Sequence, residues 1–259
     1  MSNNPLRDRL DAGEIALGLH QAYPASGIIE AMCPGWNFVW IDVQHGQHDY
    51  HSVLHAIQVA DRLGVGAVVR VPGQDPGILG RYADLAPAGI MVPMVQDAAE
   101  ARAVVEALCF APRGRRSFGG RRTGDVFGRG YYRECRLLVV AQIESSEAVG
   151  NVDSIAAVDG VDVLFYGPDD MRVDLGIDIN TPVAEHAELV KGVEAVGRAA
   201  KAEGKACGMP VRGPDDAVVR AGQGYQLLAC GSDAYYLRAG GTRTLGETQK
   251  ALGQKPVSD

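Results

Sequence analysis

The sequence predicts a single α/β domain folded as a (β/α)8 barrel, also called a TIM barrel. Short apolar, β-rich runs alternate with longer segments of helical periodicity, a pattern typical of parallel strands joined by crossover helices. The chain has 259 residues, of which 46% are hydrophobic, and this length fits one closed barrel over residues 1–259. No Gly-x-Gly-x-x-Gly motif follows the first strand, which argues against an open dinucleotide-binding sheet.

Each predicted strand is an apolar run bounded by turn residues. In order, the strands span about 14–22, 37–44, 66–71, 89–95, 136–144, 161–167, 205–210 and 225–230. The segments between them repeat apolar residues at the spacing of an amphipathic helix. The predicted helices span about 50–63, 75–85, 97–108, 146–157, 183–203, 214–222 and 233–252. Eight strands over this length favour a closed barrel.

The segment 110–133 interrupts this alternation, because it shows no clear periodicity over more than twenty residues. Its arginines are Arg113, Arg115, Arg116, Arg121, Arg122, Arg129 and Arg133. A loop of this length is usually functional or disordered. Two interpretations stay open: a solvated basic loop or subunit contact, and a surface that grips an acidic substrate.

The composition indicates a soluble enzyme for small molecules. The formal net charge of −7 argues against nucleic acid or an anionic membrane as partner, since either would require a basic face. Residues 1–13 are polar and charged, and no stretch of about 18 uncharged apolar residues occurs, so we expect a cytoplasmic protein. The five cysteines are odd in number and never spaced as Cys-x-x-Cys, so we expect them to be reduced and mostly buried.

Polar side chains are concentrated where the predicted strands end. In a barrel of this type the catalytic groups project from the C-terminal ends of the strands. Strand two leads into His45, strand three ends at Arg70, strand five ends at Glu144, and strand six leads into Asp170. One histidine, one arginine and two carboxylates are therefore expected at the same rim.

Glu144 and Asp170 are the predicted metal ligands. Two carboxylates from neighbouring strands, with no cysteine beside them, suit a hard divalent cation that keeps positions open for substrate. The alternative is that each residue caps the helix that follows, because acidic residues are favoured in a first helical turn. The presence of Arg70 and His45 on adjacent strands favours the metal interpretation.

Arg70 and His45 are predicted to act on the substrate. Arg70 ends an apolar strand at the barrel mouth, where its guanidinium could hold a substrate carboxylate in a bidentate contact. His45 could serve as a general base, because an unperturbed imidazole titrates near neutral pH. His51 and His55 lie four apart on a predicted helix, but no third ligand with zinc spacing accompanies them, so both are interpreted as surface residues.

The lysines decide how a ketone substrate could be activated, because one route requires an imine with a lysine amine. They are Lys191, Lys201, Lys205, Lys250 and Lys255. The first two fall on an outer helix, the third precedes strand seven, and the last two lie in the C-terminal segment. None is placed to form an imine at the mouth, so a metal ion would have to stabilise the enolate instead.

At these strand ends the sequence resembles the metal-dependent class II pyruvate aldolases of the 4-hydroxy-2-oxoheptanedioate aldolase (HpcH/HpaI) family. The resemblance runs from about Gly18 to Leu237. Its motifs are Ile41-Asp42-Val43-Gln44-His45-Gly46, Val68-Val69-Arg70, Val92-Pro93-Met94-Val95, Pro112-Arg113-Gly114-Arg115-Arg116, Gln142-Ile143-Glu144, Gly167-Pro168-Asp169-Asp170 and Gly231-Ser232-Asp233. In this order and spacing they are highly specific for the family and less specific for the substrate.

The resemblance implies a role for each matching residue. Glu144 and Asp170 would bind the metal. His45 would be the acid/base, and Arg70 would stabilise the transition state and the carboxylate of pyruvate. Gln142 and the backbone around Asp169 would contact the keto acid.

The resemblance also implies an aspartate that raises the basicity of the histidine, and Asp84, nine residues before Pro93, matches it. Asp84 precedes strand four and is therefore expected at the opposite face of its own barrel. Our hypothesis is that Asp84 reaches His45 of a neighbouring subunit, so that activity requires a homo-oligomer, which the family suggests to be a hexamer.

Two positions depart from the commonest family pattern. Gln44 stands where many members have glutamate, and Asp169 stands where a small residue is usual beside the metal-binding aspartate. Gln44 removes one negative charge near the metal, whereas Asp169 adds one. Arg172 is also unlike the best-known members.

The expected reaction is the reversible cleavage of a 4-hydroxy-2-keto acid. Its products would be an aldehyde and pyruvate, or a close 2-keto acid such as hydroxypyruvate, formed through an enolate on Mg2+, Mn2+ or Co2+. Two alternatives remain: a lyase of the citrate-lyase β or phosphoenolpyruvate type, and a non-catalytic protein that binds 2-keto acids.

Overall fold

The computed structural model describes residues 4–254; residues 1–3 and 255–259, which include Lys255, lie outside the described part. Eight parallel strands pair in chain order, and the eighth pairs with the first, so the sheet closes into a barrel. The strands are β1 (Ala16–Gln21), β2 (Phe38–Asp42), β3 (Gly66–Arg70), β4 (Gly89–Val92), β5 (Leu138–Ile143), β6 (Val163–Tyr166), β7 (Ala206–Pro210) and β8 (Leu227–Ser232). The predicted barrel is confirmed, and each predicted strand overlaps an observed one.

Helices follow the strands around the outside of the barrel. Within the described residues they are α1 (Pro5–Asp11), α2 (Ser26–Met32), α3 (Tyr50–Leu63), α4 (Pro76–Ala83), α5 (Ala98–Leu108), α6 (Arg121–Phe127), α7 (Ser146–Gly150), α8 (Val152–Ala156), α9 (Pro168–Asp174), α10 (Ala187–Ala202), α11 (Pro214–Gly222) and α12 (Asp233–Ala251). None of these helices combines the length and the apolar character needed to cross a membrane.

The sequence prediction misses four helices, α1, α2, α6 and α9. Each is seven residues long, which is about two turns and too short to display an apolar repeat. The helix predicted over 146–157 is divided into α7 and α8 at Asn151. The helix predicted over 183–203 begins with a separate 3-10 turn at Val183–Glu185, which precedes α10.

Aspartate caps begin the helices that follow β2, β3 and β4. The side chains of Asp49, Asp75 and Asp97 each accept hydrogen bonds from backbone N–H groups in the first turn of α3, α4 and α5. Such caps satisfy donors that have no partner inside the helix. These three carboxylates at the barrel mouth are therefore structural.

The core consists of two apolar layers. One layer fills the barrel interior and includes Phe38, Trp40, Val68, Met91, Val140 and Phe165. The other lies between the strands and the helices and is rich in valine, isoleucine and leucine. Strands buried on both faces are expected for a parallel sheet covered by helices, and they explain the nearly continuous apolar runs in the sequence.

Helix α1 closes the N-terminal end of the barrel. Leu6 and Leu10 are buried in the interior layer, and Asn4 donates from Nδ2 to the carbonyl oxygens of Ala88 and Arg136 at 2.8 Å each. Gly66 at the start of β3 makes room for this helix, since a Cβ there would lie 2.8 Å from Cβ of Leu6. The opposite, C-terminal end is left as the mouth.

The segment 110–133 is more ordered than the sequence predicts. It contains α6, and a 3-10 turn at Tyr131–Glu134 follows it. Arg116 donates to Asp84 at 2.7 Å, and Arg122 pairs with Asp61 at 2.6 Å, so these two arginines neutralise carboxylates of the same chain. The segment borders a cavity of about 360 Å³ at the N-terminal end of β3 and β4, away from the mouth of its own barrel.

Gly18 in β1 provides the first test of the packing. A methyl group at Gly18 would overlap the ring of Phe38, which is fully buried in the barrel interior. We expect Gly18→Ala to lower the free energy of unfolding by about 1–3 kcal/mol, because an overpacked core must shift its neighbours. Urea denaturation measures the change. Gly80→Ala in α4 is the matched control: open space surrounds that position, so a small gain is expected there.

Candidate active site

The strand ends bring the predicted residues to one end of the barrel. Asp42 and Arg70, the last residues of β2 and β3, are direct partners in the strand register. Gln142 lies near the end of β5, and Glu144 follows that strand directly. Asp170 lies in the first turn of α9, immediately after β6. Because all of these strands are parallel, the side chains share the mouth.

Asp42 and Arg70 form a buried, bidentate ion pair. Nε of Arg70 donates to Oδ1 of Asp42 at 2.9 Å, and Nη2 donates to Oδ2 at 2.7 Å. The side chain of Asp42 is 1% exposed, and His20 lies 3.1 Å from its Oδ2. Burial raises the pKa of Asp42, but hydrogen bonds from His20 and Arg70 and the charge of Arg70 hold it well below its ordinary 3.8.

Asp42 also determines the shape of the turn that carries His45. Its Oδ1 accepts the backbone N–H groups of Gln44 and His45 at 3.1 and 3.3 Å. The side chain of His45 is exposed at the mouth. Asp42 was not among the predicted site residues, although a carboxylate at the end of a fully apolar strand, in register with an arginine, was a signal that could have found it.

Asp42 occupies the edge of the guanidinium formed by Nε and Nη2, so a substrate carboxylate would have to meet the hydrogens that remain on Nη1 and Nη2. The guanidinium carbon lies 4.7 Å from the centre of the Trp40 ring, so an aromatic face supports it from below. Arg70 is therefore a positioned charge, with little freedom to reorient.

Glu144 is buried and its carboxylate is oriented by two donors. Oε1 accepts the backbone N–H of Met94 at 2.8 Å, and Oε2 accepts Nε2 of Gln142 at 3.0 Å. Met94 has a φ of 54°, a left-handed conformation that is uncommon outside glycine and that directs its N–H toward the carboxylate. Gly167 makes room for Glu144, since a Cβ there would lie 2.5 Å from Oε2.

Glu144 and Asp170 are like charges in close proximity. Burial, followed by the charge of Asp170, raises the pKa of Glu144 from its ordinary 4.5 to about 7. Each oxygen of Glu144 keeps a lone pair beyond its single hydrogen bond. Oε1 of Gln142 is buried beside them, without a hydrogen-bond partner among residues 4–254. Two adjacent carboxylates repel each other, and burial of Glu144 adds to the cost of their charges, so the pair is stabilised by a bound proton or cation. The residues therefore fit a divalent metal ion.

Within the described residues, no group of three or more His, Cys, Asp or Glu side chains is arranged to hold a metal. A metal ion held by Glu144 and Asp170 would have two protein ligands and would take its other ligands from substrate or water. His51 and His55 are exposed on α3, as expected for surface residues. The cysteines within residues 4–254 are free; Cys33 and Cys207 are buried, whereas Cys109, Cys135 and Cys230 are only partly buried, so the expectation that most of them are buried is wrong.

Asp169 pairs with an arginine of its own helix. Its side chain is 71% exposed and accepts Nη1 of Arg172 at 2.7 Å. Arg172 is itself buried, and its Nε donates to the carbonyl oxygen of Thr181 at 2.7 Å. The two departures from the common family pattern in α9 thus compensate each other, because Arg172 neutralises the charge that Asp169 adds.

Asp84 does not join the site of its own barrel. It ends α4, before β4, and its Oδ1 accepts Nη2 of Arg116 at 2.7 Å. His45 follows β2 at the other end of the barrel. The expected location of Asp84 at the opposite face is therefore confirmed.

The fold and this arrangement define a class: an α/β-barrel enzyme whose C-terminal mouth holds an arginine beside two adjacent carboxylates. The model for the family HpcH/HpaI aldolase/citrate lyase matches residues 24–239. The chain belongs to this family, which confirms the resemblance seen in the strand-end motifs.

Relatives of the chain agree with the predicted type of enzyme. It is 32% identical over 251 residues to a hydroxypyruvate/pyruvate aldolase of Rhizorhabdus wittichii, covering 95% of this chain and 99% of that protein. It is 32% identical over 252 residues to a pyruvate aldolase of Rhizobium etli, covering 91% and 97%. A solved HpcH/HpaI aldolase from Desulfitobacterium hafniense matches with a TM-score of 0.88 and 27% identity, covering 98% and 100%. The prediction of an aldolase is confirmed.

The raised pKa of Glu144 predicts a pH dependence of stability in metal-free protein. Between pH 4.5 and about 7 the folded state keeps a proton that the unfolded chain releases, so stability falls as pH rises through this window. The loss is about 3 kcal/mol at most. Glu144→Gln should remove this dependence, and exposed Glu147→Gln should leave it unchanged. Urea denaturation with a chelator, from pH 4.5 to 8, measures it; parallel curves for wild type and Glu144→Gln would contradict the assignment.

Proposed function

We propose that the protein is a metal-dependent aldolase that cleaves a 4-hydroxy-2-keto acid to an aldehyde and pyruvate, or a close 2-keto acid such as hydroxypyruvate. The observation that carries the proposal is the acidic pair of Glu144 and Asp170 beside the fixed charge of Arg70. In cleavage, the C3–C4 bond breaks, its electron pair stays on C3 of the pyruvate enolate, and the 4-hydroxyl loses its proton as the aldehyde leaves. The synthetic direction reverses these steps.

Glu144 and Asp170 would hold Mg2+, Mn2+ or Co2+. A bound cation would add positive charge at the developing enolate oxygen of a chelated 2-keto acid. Hard carboxylate oxygens without sulfur or imidazole beside them support this choice of metals. Met94 and Gln142 orient the Glu144 carboxylate for this purpose, and their hydrogen bonds to it leave one lone pair free on each oxygen.

Arg70 would stabilise the negative charge on the keto acid through Nη1. Its bidentate pair with Asp42 keeps the guanidinium in place while charge develops, so little reorganisation is needed. Gln142 would contact the keto acid through its amide. Asp169 and Asp170 would contribute backbone N–H groups, because amides in the first turn of α9 have no partner within the helix.

His45 would move the proton of the 4-hydroxyl. Asp42 accepts the backbone N–H of His45 and so holds the residue at the mouth, while the imidazole stays exposed to substrate. An imidazole suits this task because its ordinary pKa is near neutral pH.

Asp84 of a neighbouring subunit would support His45. The ion pair with Arg116 holds Asp84 in place, and its side chain remains 34% exposed, so it can meet another copy of the chain. The exposed apolar residues of α12, such as Tyr235, Leu237 and Leu245, also favour a homo-oligomer, and we propose a hexamer.

The metal requirement is tested with metal-stripped protein. We expect oxaloacetate decarboxylation and pyruvate–aldehyde condensation to disappear on chelation and to return with Mg2+, Mn2+ or Co2+. Glu144→Ala and Asp170→Ala should each lower kcat at least about a hundredfold, because the enolate loses its main electrostatic support. The control Glu147→Ala should stay active. Turnover in chelated wild type, or in a folded Glu144→Ala variant, would overturn the proposal.

Subunit complementation tests the role of Asp84. Asp84→Ala and His45→Ala should each be inactive alone. When the two variants are co-expressed, some sites combine an intact His45 with an intact Asp84 from the neighbour, so part of the activity should return. Mixing Glu144→Ala with His45→Ala restores wild-type sites only if Glu144 acts across subunits, so this pair is expected to stay inactive. Activity of monomeric wild-type protein, measured after size-exclusion chromatography, would contradict the hypothesis.

A further inference from the structure

His20 is a second histidine at the mouth, besides His45. It lies near the end of β1, in register with Trp40 of β2. Leu19 packs in the layer between strands and helices, so the alternation of side chains along a strand turns His20 toward the barrel interior. The ring centres of His20 and Trp40 are 4.6 Å apart, and the side chain of His20 is 25% exposed. His20 therefore lies inside the mouth, where small molecules can reach it.

Asp42 holds His20 beside Arg70. Nε2 of His20 lies 3.1 Å from Oδ2 of Asp42, and the same oxygen accepts Nη2 of Arg70 at 2.7 Å. The imidazole and the guanidinium also share the ring of Trp40, since the guanidinium carbon lies 4.7 Å from its centre. Arg70 is proposed to stabilise charge on the keto acid, so a group beside Arg70 lies near the carbon atoms that react.

The carboxylate of Asp42 selects the tautomer of His20. It pairs with Arg70, and its pKa is held well below the ordinary 3.8, so it is ionised and only accepts hydrogen bonds. Nε2 of His20 must therefore carry a hydrogen. In the neutral imidazole Nδ1 then has a free lone pair, and it has no hydrogen-bond partner within the described part of the chain. One chain thus contains a complete carboxylate–imidazole pair, whereas the support proposed for His45 comes from a neighbouring subunit.

The other histidines of the described part are less suited to act on a substrate. His48 follows β2, but its side chain is buried, burial lowers its pKa, and its Nδ1 lies 3.3 Å from Oγ of Ser52. The remaining three lie on or directly before the outer helices: His51, His55 and His186. His20 and His45 are therefore the two imidazoles available to a substrate in the mouth.

The proposed reaction moves two protons at different atoms. One belongs to the 4-hydroxyl, and the other belongs to C3 of the keto acid, which loses it in synthesis and regains it after cleavage. We infer that His20 is a second catalytic residue, whose Nδ1 transfers the proton at C3, while His45 transfers the proton of the 4-hydroxyl. The inference rests on the proposed function and concerns how its proton transfers are divided.

In enolate formation the C3–H bond breaks and its proton moves to Nδ1 of His20. The electron pair of that bond forms the C2=C3 double bond, and one pair of the C2=O bond moves onto the oxygen, where Arg70 is proposed to stabilise it. Asp42 stabilises the resulting imidazolium through Nε2–H. After cleavage the same steps run in reverse. Both imidazoles then recover their protonation state from water, because each is at least partly exposed.

The test separates proton transfer at C3 from the other steps. Exchange of the C3 hydrogens of pyruvate for deuterium, measured by mass spectrometry with metal added, requires the C3–H bond to break. Decarboxylation of oxaloacetate forms the same enolate by loss of CO2, without a base at C3. His20→Gln keeps an N–H that can reach Asp42, but an amide is not a base. His55→Gln, on the exposed face of α3, is the matched control.

His20→Gln should lower the rate of pyruvate exchange at least about a hundredfold, the size usual for loss of a general base. Its decarboxylation rate should fall by less than about fivefold, because that reaction needs no general base at C3. His20→Ala should lose exchange and also more of the decarboxylation, because Asp42 then lacks one of its donors. His55→Gln should match wild type in both assays. Urea denaturation checks that each variant is folded, and His20→Asn is a second amide variant if His20→Gln is not.

Three results would overturn the inference while leaving the proposed function intact, provided that wild type decarboxylates oxaloacetate only with metal. The first is pyruvate exchange near the wild-type rate in the folded amide variant, which would limit His20 to positioning Asp42. The second is an equal loss of exchange and decarboxylation in that variant, which would indicate a displaced Arg70. The third is wild-type protein that decarboxylates without exchanging pyruvate hydrogens. Absence of both metal-dependent activities in wild type would instead reject the proposed function, and the inference with it.

Discussion

The mouth of the barrel depends on the buried ion pair between Asp42 and Arg70. One carboxylate receives two guanidinium N–H groups, two backbone N–H groups and a contact from His20. It thereby joins the ends of β2 and β3 and determines the turn that carries His45. Removing either partner of such a pair would leave an uncompensated charge among buried groups. The main role of the pair is to fix the geometry of the mouth. Its net contribution to stability is small, because burying two charges costs desolvation free energy that their attraction only offsets.

The acidic pair of Glu144 and Asp170 is organised in the opposite way. Here two like charges are held together by the fold, with backbone and amide donors that orient Glu144 without neutralising it. The raised pKa of Glu144 is the electrostatic consequence. The negative charge of Asp42 is thus balanced by Arg70, whereas the negative charges of Glu144 and Asp170 have no comparable ion pair. A metal ion would supply the positive charge that Glu144 and Asp170 lack.

The N-terminal end of the barrel is closed, in contrast to the mouth at the C-terminal end. Helix α1 and the segment 110–133 close the N-terminal end, and the arginines Arg116 and Arg122 are paired there with carboxylates of the same chain. This placement favours a structural or subunit-contact role for these two residues over the gripping of substrate within their own barrel. In the proposed homo-oligomer, the exposed part of Asp84 at the closed end of one barrel would reach His45 of a neighbouring subunit.

The sequence by itself determined the barrel and which candidate site residues lie at its mouth. Alternating apolar runs dictate parallel strands buried on both faces, and the polar residue after each run must lie at the C-terminal end, so Glu144, Asp170, Arg70 and His45 could be read directly. Short helices such as α9 could not, because two turns carry too little periodicity. Only the tertiary structure decided which charges pair: Asp42 engages Arg70, and Arg172 neutralises Asp169. The partners are distant in the chain, as Asp42 and Arg70 are, or have side chains that could turn either way, as Asp169 does. Which residues become partners therefore depends on burial and on distances in space, and a linear pattern encodes neither.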